Sequence, residues 1–279
     1  MGGRGPAFMV AAMMCIAVHD AIAKHALGVA SIPQMLAIEA ALALAVVAPW
    51  LLRRGLSAVI QVQQPWLHVL RVGLVIGATA CLYAALRRTT LTDVVVLYQV
   101  APALTVVMAS FVLGEKVGPL GWMSVLLGVA GVLMVVKPDD ADVTTAHALA
   151  LLGMSLYAAF NLLTRELRAA EPATLLGWHM AGVLVVALLL VPFNWRPLDM
   201  NALSFIALMG VLAGMGSLLL NTAFAVSQSL RIMPLHYTVI VWAMLLGWFW
   251  FGERPDFATI VGAVLIVLSG LLSVRFAPR

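Results

Sequence analysis

The sequence predicts an all-α integral membrane protein: ten transmembrane helices arranged as two inverted five-helix repeats. Three observations predict it. The 279 residues are 63% hydrophobic and only 10% charged, with mean hydropathy +1.06, whereas a soluble domain carries about 25% charged residues. The charges fall at intervals and leave apolar runs of the roughly 20 residues that cross a bilayer. Two of those runs end in nearly the same six residues, FVLGEK at 111–116 and FWFGER at 249–254.

Charges, prolines and polar clusters divide the chain into spans near 6–25, 33–52, 66–86, 92–113, 118–136, 146–165, 172–192, 201–226, 230–251 and 257–275. The first, MGGRGPAFMVAAMMCIAV, has the outline of a signal peptide with Arg4 as its basic region. No small-x-small cleavage site closes it and more spans follow, so it reads as the first helix. Pro33 opens the second span, and the third ends at RRTTLTD. The fourth holds Pro102 and ends in GE; the fifth is rich in glycine, with Gly128 and Gly131. The order then recurs: Pro172 opens the seventh span, VSQSLRI follows the eighth, Pro234 lies in the ninth, and Gly262 and Gly270 lie in the tenth. Barrel strands would be shorter and would alternate with period two. These segments are too long and too evenly apolar for that.

Glu115 and Glu253 stand 138 positions apart. At that offset Phe111 meets Phe249, Gly114 meets Gly252, Lys116 meets Arg254, Leu97 meets Leu235 and Ala85 meets Ala223. One residue off this register, the third and eighth spans each carry G-x-x-x-G, Gly73/Gly77 and Gly210/Gly214, a spacing that lets backbones pack closely. At an offset of 141, Asp20 meets Asn161 and Lys24 meets Arg165. The chain therefore divides into units 1–138 and 139–279. Five helices is an odd number, so the second unit enters the membrane in the opposite sense. Inverted repeats are the architecture of many secondary transporters, with substrate held near the midplane between the halves.

Lys and Arg near the helix ends set orientation. With the N-terminus in the cytoplasm, ten of the 16 basic residues fall inside, so both termini are expected there, in a multi-pass protein of the bacterial inner membrane. Cys15 and Cys81 lie inside apolar runs and read as buried packing residues, not as a disulfide. There is no P-loop, no Cys/His cluster with metal-ligand spacing, and no basic patch with interleaved aromatics. No cofactor and no nucleic acid is expected. The expected partners are a small-molecule substrate and the lipid bilayer, with the monomer and the homodimer both open. The rival classes are a non-transporting scaffold and an intramembrane hydrolase built on Ser217 and His236. Leu218 stands where a small residue would open that nucleophile, and neither function needs two-sided pseudo-symmetry.

Polar groups in hydrocarbon are costly and face a cavity or a partner helix. The candidates are His19 and Asp20 in the first span, Tyr157 and Asn161 in its counterpart, and Tyr83 and Asn221 in the third and eighth. Tyr98 and Gln99 lie in the fourth, with His236, Tyr237 and Trp242 in the ninth. Glu39 and His179 lie in the second and seventh. Asp20 has Lys24 one turn away, at i+4. The two read either as a charge pair snorkelling to the surface or as a substrate-ammonium or proton site. Glu39 reads as an interfacial anchor or a proton acceptor. His236 titrates, in its ordinary range, near neutral pH, which suits proton coupling. Glu115 and Glu253 read as structural, each beside a basic residue at a helix end. Pro102 and Pro234 permit bends.

The order YAALRRTTLTD (83–93), YQVAPALTVVMASFVLGEK (98–116) and LLGVAGVLMVVKP (126–138) resembles the drug/metabolite transporter superfamily, in its bacterial ten-helix EamA-type branch. The resemblance covers essentially the whole chain. The second copy departs from it: Asn221 replaces Tyr83, and Ile240 stands where Pro102 would be, with Pro234 one to two turns earlier. The resemblance implies export of small metabolites by alternating access. Aromatic or neutral amino acids are the first expectation, and drugs or organic cations the alternative. It also implies that the fourth and ninth helices line the central cavity, which would bring Tyr98, Gln99, His236 and Tyr237 to the substrate.

Overall fold

The structure, a computed structural model, describes residues 4–54, 62, 64–112, 114, 118–136, 141–167, 170, 172–226 and 229–275. Its first half contains α1 (Gly5–Ala26), α2 (Ile32–Arg54), α3 (Pro65–Leu86), α4 (Leu91–Tyr98), α5 (Ala101–Val112) and α6 (Pro119–Val135). The second contains α7 (Ala141–Glu166), α8 (Pro172–Leu190), a 3-10 turn at Val191–Phe193, α9 (Met200–Val226), α10 (Ser229–His236), α11 (Thr238–Phe251) and α12 (Phe257–Arg275). No strand occurs among the described residues. Eight spans are long and apolar enough to cross a membrane, and the shorter apolar helices Pro119–Val135 and Phe257–Leu272 complete the ten. Large apolar side chains such as Leu126 (68% exposed) and Leu133 (71%) cover the outside, the surface a bilayer would wet.

The fourth and ninth spans are each broken in two, at Gln99–Val100 and at Tyr237. The 138-residue offset maps Gln99 onto Tyr237, so the breaks are equivalent. Their chemistry is not. Pro102 has no N–H to give the carbonyl of Tyr98, and the chain tightens to a Val100 N–H···O=C Leu97 bond of 3.2 Å. In the second half, Pro234 lies before the break. There the Thr238 hydroxyl takes the Leu235 carbonyl at 2.6 Å, and Tyr237 N–H closes on Pro234 O at 3.3 Å.

The helices pair across the two halves in a symmetric pattern. α1 packs on α9 and α3 on α7, first helix against third in both cases, while α2 packs on α8 and α6 on α12. Glycine sets two of these contacts. A Cβ on Gly131 would lie 2.8 Å from the Gly262 carbonyl oxygen, and one on Gly262 would lie 2.8 Å from that of Gly131. Along α9, a Cβ on Gly210 would lie 2.8 Å from the Glu39 carbonyl oxygen and one on Gly214 would lie 3.1 Å from that of Ala43. The first G-x-x-x-G pair behaves differently. Gly77 meets only the Leu156 side chain, and Gly73 has open space before it, so close backbone packing is not its role. Gly73 faces Gly177, Ala181 and Gly182 of α8; with small residues on both walls, a groove remains there.

The repeated GE motif turns through its glycine. Gly114 (φ 66°) and Gly252 (φ 65°) are the two left-handed residues among those described. Glu115 and Lys116 lie outside the described residues. Cys15 and Cys81 are half-buried free thiols.

Two predictions separate the glycine roles. Gly131→Val drives a side chain into the Gly262 backbone and is expected to cost about 1–3 kcal/mol, seen as a lower Tm in detergent. Gly73→Val, at an open position, is expected not to lower Tm.

Candidate functional site

The breaks bring the polar side chains of Gln99 and His236 together. The Gln99 amide nitrogen lies 3.2 Å from His236 Nδ1, joining the break of one half to that of the other. Beside this pair is a cavity of about 180 Å³, walled by Met13, Ile16, Val75, Ala78, Leu82, Val95 and Val239. Its polar lining is Asp20, Thr79, Tyr98, Gln99, Tyr157 and His236. All but Thr79 are residues of the sequence reading; Thr79 and the apolar wall were not foreseen.

Tyr98 donates its hydroxyl to the Ala78 carbonyl at 2.7 Å and lies 6.4 Å, centroid to centroid, from Tyr157. Gly153 makes this possible, since a Cβ there would fall 1.9 Å from the Tyr98 hydroxyl. Gly153 was missed; a glycine in mid-helix was its only signal. At the other end of the cavity Asp20 is 8% exposed. It belongs to a network spanning three helices. His19 Nδ1 lies 2.9 Å from Asp20 Oδ1, and His19 Nε2 lies 3.1 Å from Glu39 Oε1. The fully buried Tyr83 donates to Glu39 Oε2 at 2.8 Å. Glu39 is therefore an interior residue and not an interfacial anchor. Its backbone lies against Gly210, whose missing Cβ admits it.

Asp20 does not pair with Lys24. Asp20 turns inward to His19, while Lys24 reaches outward to Glu253 and donates to the Thr89 carbonyl at 2.7 Å. Glu253 Oε2 also accepts the Leu91 N–H at 2.8 Å, at the N-terminus of α4, where the helix leaves donors unpaired. The second GE motif thus ties its own half to α1 and α4 of the other half, instead of marking an interface beside Arg254. These contacts lie at the face opposite the chain termini. At the same face Arg87 donates to the carbonyls of Leu27 and Ala30, both at 3.2 Å, within its own half. Burial and the neighbouring Arg196 and Arg88 lower its pKa below the ordinary arginine value. On the termini side, Arg71 donates to Thr164 Oγ1 at 2.7 Å and to the Leu175 carbonyl at 2.9 Å, and lies 4.5 Å from the Phe160 ring centroid.

The remaining candidates lie off the cavity lining. Tyr237 is buried against Gly270, where a Cβ would collide with its hydroxyl. Trp242 and Asn161 are half-buried and line no part of the cavity. Asn221 is exposed and bonds the Ser217 carbonyl of its own helix at 2.8 Å. His179 packs on Phe160 at 5.6 Å, behind the cavity wall.

Gly153→Ala is expected to displace the Tyr98 hydroxyl from Ala78 and to cost about 1–3 kcal/mol. A lower Tm in detergent reads it directly.

The EamA-like transporter family matches this chain twice, over residues 3–137 and 144–275. A riboflavin transporter of Vibrio cholerae is 26% identical over 271 residues, covering 95% of this chain and 91% of that protein. An S-adenosylmethionine uptake transporter of Rickettsia prowazekii is 26% identical over 227 residues, covering 80% of this chain and 76% of that protein. One solved crystal structure superposes with a TM-score of 0.69 over 99% of this chain and 98% of its own, at 17% identity, and so shares the fold. The double match and the transporters among its relatives set aside the hydrolase and scaffold readings. The chain belongs to the EamA-like transporter family and is a multi-pass membrane transporter of a small molecule.

Proposed function

We propose that the protein carries a small zwitterion of the amino-acid class, with an aromatic or other apolar side chain, out across the bacterial inner membrane by alternating access. The observation that carries this reading is the polarity of the cavity. A carboxylate, Asp20, stands in the same apolar space as the Gln99–His236 pair. With Nδ1 accepting from Gln99, a neutral His236 ring carries its hydrogen on Nε2 and is a donor. A substrate ammonium meets Asp20, its carboxylate meets Gln99 and His236, and its side chain meets Tyr98, Tyr157 and the aliphatic wall. The Rickettsia relative supports the class, because S-adenosylmethionine carries an amino-acid group. Units 1–138 and 139–279 are the halves that move, and both termini face the cytoplasm.

The proximity of Asp20 to two tyrosine rings also favours a second reading, an organic cation held by charge and aromatic faces. Counterflow of labelled phenylalanine, threonine and methionine in proteoliposomes, with unlabelled organic cations as competitors, decides between them. Saturable amino-acid counterflow is expected. Asp20→Asn is expected to abolish it, and Gln99→Leu to raise the half-saturation concentration by about tenfold, as removal of a hydrogen-bond partner for a charged group does. Cation counterflow without amino-acid counterflow would favour the second reading. Accumulation in everted membrane vesicles reads the direction.

A further inference from the structure

The proton count of the buried network has a consequence for coupling. Both ring nitrogens of His19 face carboxylate oxygens, Asp20 at 2.9 Å and Glu39 at 3.1 Å. An ionised carboxylate only accepts, and a neutral imidazole has a single N–H. With both acids ionised and the ring neutral, one contact would set lone pair against lone pair. The geometry therefore requires one further proton, either on the ring or on a carboxyl. That state carries one net negative charge inside the membrane, which is costly unless neutralised.

Among the described residues, no cation neutralises it. Lys24, one turn along α1, is committed to Glu253 and Thr89. Tyr83 on α3 gives Glu39 a hydroxyl but no charge. His179 on α8 is in electrostatic reach of Glu39, and Tyr98 and Tyr157 are in reach of Asp20. Arg71 acts on His179 and Tyr157 and is held by Thr164 and Leu175. α9 brings Gly210 against Glu39.

We propose that His19, Asp20, Glu39 and Tyr83 form a proton-coupling site that exchanges one proton for one substrate ammonium. The inference rests on the reading that an ammonium binds at Asp20. A second proton on the network gives an imidazolium, one carboxylate and one carboxylic acid, with no net charge. An ammonium arriving at Asp20 neutralises the singly protonated network equally well. Both together would leave a positive charge in the same apolar space, so proton and substrate displace one another. The second proton returns to water on the side where substrate binds. His236 is not the coupling group, because its polar partner is the Gln99 amide and not a carboxylate.

The test uses the full-length protein. Infrared titration of purified protein follows the C=O stretch of a protonated carboxyl and needs no substrate. In pyranine-loaded liposomes, amino-acid counterflow at equal pH is compared with accumulation driven by an imposed pH gradient. Wild type is expected to show the titrating band, counterflow and accumulation. Glu39→Gln imitates the protonated acid and leaves Asp20 and His19 one negative charge for a proton or an ammonium to neutralise, so accumulation is expected to persist while the titrating carboxyl band is lost. Tyr83→Phe, a smaller change, is expected to move the midpoint of the infrared titration. Wild-type counterflow without accumulation under the pH gradient, a titrating carboxyl band that persists in Glu39→Gln, or a midpoint unmoved in Tyr83→Phe, overturns the proposal. If wild type carries no amino acid, yet the band is present and tetraphenylphosphonium releases protons, the amino-acid reading fails and the coupling site stands.

Discussion

A backbone N–H or carbonyl stripped of its partner inside hydrocarbon costs several kcal/mol, so a helix can stop halfway across a membrane only where protein or a water-filled cavity surrounds the broken ends. This chain stops two helices at mid-depth, at Gln99–Val100 and at Tyr237. Much of the architecture follows from that requirement. The breaks must face each other, which brings the two halves together at their centre. The helices around them must be long and continuous, as α1, α3, α7 and α9 are. Where the breaks meet, side chains that would be too polar for a lipid-facing helix become affordable, and Gln99 and His236 occupy that place.

The interleaving of the halves has the same origin. First helices pack on third helices across the pseudo-twofold axis, so neither half encloses the cavity alone. Asp20, Tyr98 and Gln99 come from one half, Tyr157 and His236 from the other. Outside this arrangement the fifth helices α6 and α12 pack backbone to backbone through Gly131 and Gly262. A contact made of backbone leaves little room for sliding, in contrast to the side-chain-lined centre.

How much of this was legible in the sequence depended on the reach of each interaction. The ten spans were legible because hydrophobicity is a property of each segment. Tyr98, Gln99 and His236 were legible because a repeat places equivalent residues at equivalent positions, and the breaks fall there although Ile240 replaces the proline of the first copy. The partner of Lys24 was not. Helical spacing offered Asp20 four residues away, while the chosen partner, Glu253, lies in the other half, and only the tertiary fold brings it near. Asn221 failed for a related reason: the repeat aligned it with Tyr83, but polarity alone does not say which side of a helix faces inward, and its amide bonds its own backbone. Gly73 shows the limit of a motif, since close packing needs a partner as well as a glycine.

The carboxylate of Glu253 serves two masters with its two oxygens, Lys24 on one and the first N–H of α4 on the other. Gly252 holds the turn that aims it. If the halves separate at this face, the ion pair and the helix cap are lost in the same movement, because one side chain makes both. The second of the two six-residue echoes in the sequence thus joins an ion pair and a helix cap in a single side chain, so one substitution there removes both.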